Sequence, residues 1–359
     1  MNLQRTVSRT LSTSGVPIAV ALIVLVIVFQ LMSPVFLQPG SLTDYINNAI
    51  PVLLITGGVA IVIIAGGIDL SVGTVAGLSA GTTMWALLNG APTPVGILVG
   101  IATGTVFGLF NGWLITKFGI NDFIVTLATL NIASGLLIVL TEQVPLQGVT
   151  TPGFSDIVYG RFLGIPSAFW IAAILLVIMQ LFLAKTVFGR RIYAIGIGAD
   201  AANVAGVNVL RVRMGTFVVS GMLAGAAGVL IASRLGAVQA FLGGGYEFIA
   251  IAGAVLGGVS LAGGRGSVWA AVVGGLLLAT LQQGLRLNGV DPVYFSIVTG
   301  LCIVAGVVFD RRVQQYALNM GKRSRRDAPP RHDTPSAPAQ QQAQKPAARP
   351  RPFVTEQQD

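Results

Sequence analysis

The 359-residue chain is 53% hydrophobic and only 10% charged, with a mean hydropathy of +0.79. A soluble domain carries about 25% charged residues, so the composition excludes one and indicates an integral membrane protein; the apolar runs are helix-length, which excludes a barrel of short alternating strands. One cysteine, Cys302, rules out a disulfide framework within the chain, and the net charge of +9 does not form a nucleic-acid face, because residues 310–359 alone hold ten Lys/Arg against five Asp/Glu.

Residues 1–15 are polar, with Arg5 and Arg9 and no acid, and read as a cytoplasmic N-terminal segment. Val16–Leu37 is long enough to cross a bilayer and too long for a signal-peptide core, so it reads as a retained first helix. Further spans are expected at Ala49–Ala65, Thr74–Leu88, Val95–Thr116, Asn121–Leu140, Pro166–Ala184, Met214–Ala232, Phe248–Leu261, Val268–Gly284 and Val293–Phe309. The expectation is therefore an all-α polytopic fold of about ten transmembrane helices within residues 16–309. Thr74–Leu88 and Phe248–Leu261 are short, as re-entrant or broken central helices are.

Orientation follows from the loops. With a cytoplasmic N-terminus, the inside segments hold Arg5, Arg9, Lys117, Lys185, Arg190, Arg191, Arg211, Arg213 and Arg265. The outside segments hold Arg161, Arg234 and Arg286. Nine against three is a positive-inside bias, and an even number of spans returns the C-terminus to the cytoplasm. Residues 310–359, basic and rich in Pro and Gln, lack the apolar surface to fold alone and read as a disordered cytoplasmic tail.

The stretch Ala65-Gly66-Gly67-Ile68-Asp69-Leu70-Ser71-Val72-Gly73 places a carboxylate between two apolar runs. An Asp at membrane depth costs roughly 2.5–3.5 kcal/mol on insertion scales. Two readings are open. In one, Asp69 or Ser71 caps a helix restarting at Leu70. In the other, the helix is broken beside a polar pathway, since irregular backbone at that depth survives only inside protein or along a wet cavity.

The largest inside loop, 186–213, contains a short helix at Ala199–Ala205, with Gly206 as its C-terminal stop. It suits either docking to a soluble partner or lying on the membrane. There is no P-loop, and Gly263-Gly264-Arg265-Gly266-Ser267 lacks the lysine of one. The one histidine, His332, sits in the tail, so neither a catalytic triad nor a metal site is expected; passage is expected rather than chemistry.

Several blocks together resemble a known family. Gly66-Gly67-Ile68-Asp69-Leu70-Ser71-Val72-Gly73, Phe123-Ile124-Val125-Thr126-Leu127-Ala128-Thr129, Leu256-Gly257-Gly258-Val259-Ser260-Leu261 and Gly189-Arg190-Arg191-Ile192-Tyr193-Ala194-Ile195-Gly196 occur in the order seen in permease subunits of ribose-type sugar ABC importers, in the branched-chain amino acid/ribose permease superfamily. The resemblance covers about Val16 to Phe309.

What the resemblance implies is an importer of separate parts in a bacterial inner membrane, with both termini of this chain cytoplasmic. Two permease copies form the pathway, ABC ATPase subunits dock from the cytoplasm, and an extracytoplasmic binding protein delivers a monosaccharide. No cofactor is expected on this chain, because ATP and Mg belong to the ATPase. Asp69, Ser71, Asn111, Asn131, Gly257 and Gly258 are the expected pathway residues. Gly189, Arg190, Arg191, Ala194, Gly196, Asp200, Ala201, Ala202 and Gly206 would couple to the ATPase, and Glu247 would face the binding protein. The chain departs from the family pattern at Ile249 and at Gln282-Gln283 with Arg286, which leaves the particular sugar open. The alternatives are import of branched-chain amino acids or a furanose-type signal molecule, or an autonomous channel or ion-driven carrier centred on Asp69.

Overall fold

The computed structural model describes residues 16–302 together with 304, 305 and 308. The expected N-terminal segment and tail lie outside these residues. Thirteen helices are described: α1 (Val16–Met32), α2 (Pro39–Ile64), α3 (Val72–Leu88), α4 (Thr93–Phe118), α5 (Asp122–Thr141), α6 (Asp156–Tyr159), α7 (Ser167–Lys185), α8 (Val187–Ile197), α9 (Ala199–Val204), α10 (Val209–Leu235), α11 (Tyr246–Leu256), α12 (Val268–Leu287) and α13 (Pro292–Cys302). Helices α2, α4, α5, α7, α10 and α12 are long and apolar enough to cross a membrane. The shorter apolar helices α1, α3, α11 and α13 occupy the other four predicted segments. The all-α expectation needs a small amendment, since four two-residue strands are also present: β1 (Leu146–Gln147), β2 (Arg161–Phe162), β3 (Ile165–Pro166) and β4 (Ala237–Val238).

Helix α2 is the centre. Every residue from Ala49 to Ile64 is buried, so this helix, apolar all round, faces protein on all sides. Helix α3 is almost as enclosed, whereas α4, α5 and α7 each bury one stripe and turn large apolar side chains such as Leu98, Ile124 and Ile174 outward. That division suits a bundle whose outer helices meet lipid.

The closest packing is between α4 and α10. The buried stripe of α4 includes Gly96, Gly100, Gly104, Gly108 and Gly112, a glycine every fourth residue. A Cβ on Gly104 would run into the backbone of Gly221 and Gly225, and one on Gly108 into that of Phe217. In lipid there is little hydrophobic force between helices, so such backbone contact supplies the attraction by dispersion.

The connections fall into two groups. At one end, β1 pairs antiparallel with β4 through Leu146↔Val238 and Gln147↔Ala237. There the Ser233 hydroxyl donates to the carbonyl of Phe154 at 2.6 Å and Thr93 to that of Pro152 at 2.8 Å. At the other end, the N–H of Gly264 donates to the carbonyl of Ile64 at 2.8 Å, and Tyr193 donates to that of Gly266 at 2.8 Å. These are the same groupings that the charge pattern assigned to opposite sides of the membrane.

Candidate transport pathway and coupling site

Helix α2 stops because Gly66 adopts φ +82°. Its N–H bonds the carbonyl of Ile63, and the N–H of Gly67 bonds that of Val62, both at 2.9 Å. This is the paired capping of a Schellman turn, which satisfies the last carbonyls of the helix. The chain then runs non-helically to Val72, where α3 begins, so the break is real and two residues longer than a restart at Leu70.

The break is polar and buried. Asp69 and Ser71 are each 2% exposed and Asn111 is 1%. Oδ1 of Asp69 accepts from the Ser71 backbone N–H at 3.0 Å and from its hydroxyl at 2.7 Å. Oδ2 accepts from the hydroxyl of Ser220 on α10 at 3.0 Å. Asn111 on α4 donates from Nδ2 to the Ser71 hydroxyl at 2.9 Å and accepts at Oδ1 from Thr129 on α5 at 2.6 Å. A carboxylate without water needs such donors, and this chain of bonds supplies them from three helices and the break itself. Ser71 is not a side-chain cap; its hydroxyl is spent on Asp69.

The other expected pathway residues sit elsewhere. Asn131 is exposed and donates back to the carbonyl of Leu127 at 2.9 Å, so it does not join Asn111. Gly257 and Gly258 close α11, with Gly258 at φ +93° and Gly257 too close to the backbone of Ala270 and Ala271 to carry a Cβ. Glu247, expected to face an external protein, is 3% exposed. Its Oε1 accepts from the N–H of Gly245 at 3.0 Å and its other oxygen has no hydrogen-bond partner. The divergent Ile249, Gln282, Gln283 and Arg286 come together with Tyr45 and Asn48 around one cleft of about 30 Å³, room for a water molecule.

Segment 186–213 holds more order than its one expected helix. Before α9 lies α8, capped by Thr186, whose hydroxyl accepts from the N–H of Gly189 at 3.0 Å. Gly189 abuts the backbone of Leu183, and Ile192 and Ile195 are buried. Gly196 has no room for a Cβ, with the carbonyl of Ile64 on one side and the backbone of Gly264 on the other. Ala194 and Gly196 are half-buried and Ala202 buried, while Arg190, Arg191, Asp200, Ala201 and Gly206 are exposed. Gly206, at φ +82°, ends α9 as expected. Beside α9 an open cleft of about 400 Å³ is lined by Ala199, Asp200, Asn203, Asn208, Val209 and Leu210.

Residues that sequence reasoning missed complete the arrangement. Asp122, Thr126 and Thr129 form a polar stripe on α5, and Arg213, Thr216 and Ser220 form one on α10, each at helical spacing. Those spacings were the available signal. Arg213 pairs with Asp122 through Nη2, 2.8 Å from each carboxylate oxygen.

The chain matches a family model described as "Branched-chain amino acid transport system / permease component" over residues 41–307. It is 40% identical over 292 residues to the ribose import permease protein RbsC of Bacillus subtilis (strain 168), spanning 81% of this chain and 91% of that protein. The D-allose transport system permease protein AlsC of Escherichia coli (strain K12) is 33% identical over 82% of this chain and 90% of its own length. The L-arabinose transport system permease protein AraH of the same organism is 39% identical over 57% of this chain and 62% of its own.

Proposed function

The chain belongs to the branched-chain amino acid transport permease family, among the ribose-type sugar ABC importer permeases, and from that premise we propose that it passes a monosaccharide through a homodimeric pathway in a bacterial inner membrane. The observation that carries this reading is the seating of the 186–213 segment. Its α8 end lies on the break between α2 and α3, while α9 turns Asp200 and Ala201 outward beside an open cleft. A partner that moves α9 thereby pushes on the buried polar break.

In this reading α1, α3, α11 and α13 complete ten helices in the membrane, with the termini and the 186–213 segment in the cytoplasm. A separate ABC ATPase binds ATP and Mg and docks against Arg190, Arg191, Asp200, Ala201 and Gly206. Gly189, Ala194, Gly196 and Ala202 anchor that surface to the helices behind it. Asp69, Ser71 and Asn111 gate the path, and the shift between inward- and outward-facing pairs is linked to ATP binding and release. Gly257 and Gly258 shape the wall, Asn131 stands on an outward face available to the second copy, and Glu247 becomes available to an external binding protein only when α11 moves. Ribose, allose and arabinose in the relatives' names favour a sugar over branched-chain amino acids or a furanose signal. A channel or ion carrier is disfavoured because the carboxylate of Asp69 already has three donors.

The test is co-purification of the chain with its genomic-neighbour ATPase and binding protein, then ATP hydrolysis across a panel of pentoses and hexoses. Stimulation by one loaded binding protein is the expected result. Sugar movement by the chain alone in liposomes, without ATPase, overturns the reading.

A further inference from the structure

We propose that Asp122 and Arg213 are positioning residues that transmit movement of the 186–213 segment to the break around Asp69, with α10 as the lever. The inference rests on the importer reading above. Among the described residues theirs is the one ion pair, and it joins the first turn of α5 to the beginning of α10. The same carboxylate reaches a third element: Oδ2 of Asp122 also accepts the backbone N–H of Ile68 at 3.2 Å, next to Asp69.

Helix α10 therefore grips the break twice. Arg213 holds Ile68 through Asp122, and one stripe further along Ser220 donates directly to Asp69 at 3.0 Å. The two grips are seven residues apart, on one face of a single helix. The start of α10 is continuous with α9 through the three-residue connection Gly206–Asn208 plus the cap at Ala205, the Asn208 side chain accepting from the N–H of Arg211 at 3.0 Å. Just before α9, near the C-terminus of α8, Gly196 bears on Ile64, the last residue of α2. The non-helical stretch is thus held at one end by α8 and along its length by α10, and both belong to or continue from the segment facing the cytoplasmic partner.

Local helix energetics account for Asp122, an acid in the first turn of α5, but not for Arg213. A cation near a helix N-terminus opposes the macrodipole, so Arg213 gains nothing from its place in α10 except through Asp122. The contact is a single charged nitrogen, Nη2, set 2.8 Å from both oxygens of Asp122, so any shift of α10 along its axis is felt directly at that carboxylate.

The experiment uses the full importer, with ATPase and binding protein, in liposomes carrying Asp122→Asn. Asparagine keeps the shape and an acceptor for Ile68 but loses the charge. Basal ATP hydrolysis is expected to stay at the wild-type rate, while stimulation by loaded binding protein and sugar uptake fall about tenfold, within the range of typical coupling between sites. Arg213→Lys, which keeps a positive charge on a shorter and more flexible side chain, is expected to fall between wild type and Asp122→Asn. Unchanged uptake in both variants overturns the proposal, as does a parallel loss of basal hydrolysis and uptake in assembled complex. If Asp122→Asn does not assemble, Arg213→Lys is read against the same criteria. A wild-type complex that shows no stimulation overturns the importer reading instead.

Discussion

The carboxylate of Glu247 packs against Gly73 in the first turn of α3, with the carbonyl of Gly243 beside it. Asp69 approaches the same helix start through the N–H of Ser71. The N-terminus of α3 thus lies between two buried carboxylates, a charge placement that its macrodipole favours. A methyl group at position 73 has nowhere to go. Gly73→Ala is expected to cost about 1–3 kcal/mol, as other overpacked interior sites do. The check is thermal unfolding of purified protein in detergent, where an unshifted melting temperature would show that the contact is loose.

The network around Asp69 predicts strong coupling between distant substitutions. Ser220→Ala leaves Oδ2 of Asp69 without its donor and Asn111→Ala removes the donor to Ser71. Each is expected to cost about 1–3 kcal/mol, the penalty of an unsatisfied buried polar group. Because both act through Ser71 and Asp69, the double variant should depart from additivity by 0.5 kcal/mol or more, measured as a double-mutant cycle. Asn131→Ala, facing outward, should change stability by less than about 0.5 kcal/mol.

Glycines on one chain should respond in opposite ways. Gly104→Leu forces α4 away from the backbone of Gly221 and Gly225 and is expected to prevent assembly or sharply lower the melting temperature. Gly135, inside α5, has open space where a Cβ would sit. Gly135→Ala is expected to be neutral or stabilising by up to about 1 kcal/mol, the gain in helix propensity. Melting curves of the two variants side by side test whether close approach, and not glycine content as such, holds these helices.

Tyr193 joins α8 to the 262–267 connection through its bond to Gly266. Burial pushes the phenol above its ordinary value near 10.0. For such a group the folded state holds the proton more tightly, so its stabilising bond is complete below pH 10 and is lost as pH rises beyond that. Stability of the wild type relative to Tyr193→Phe should therefore be constant from pH 6 to 9, at about 1 kcal/mol for one hydrogen bond. A difference that drifts within that range would remove the phenol from this role.

Much of the fold was legible because it depends on local composition. Six of the predicted spans coincide with helices long and apolar enough to cross a membrane, the break at Gly66–Ser71 follows from glycine chemistry and a lone carboxylate, and Gly206 ends its helix as a left-handed cap should. Less was legible in the site. Helix α8 was overlooked because its apolar and basic residues read equally well as a connector, and Glu247, which the family resemblance turned toward an external protein, is folded inward.

Asn111 and Asn131 show where the division lies. Each is an amide in an apolar helix; Asn111 adjoins Gly108 and Gly112 of a buried stripe, yet nothing local names its partner. Composition and helix-length runs determine that the chain enters a membrane several times and where its central helix breaks, because transfer energy and backbone capping act locally. Only the tertiary structure decides that Asn111 meets Ser71 while Asn131 turns back on Leu127, and that Arg213 finds Asp122 across 91 positions of sequence. Helices that are apolar all round carry little record of which face will meet which neighbour; that choice is made by packing.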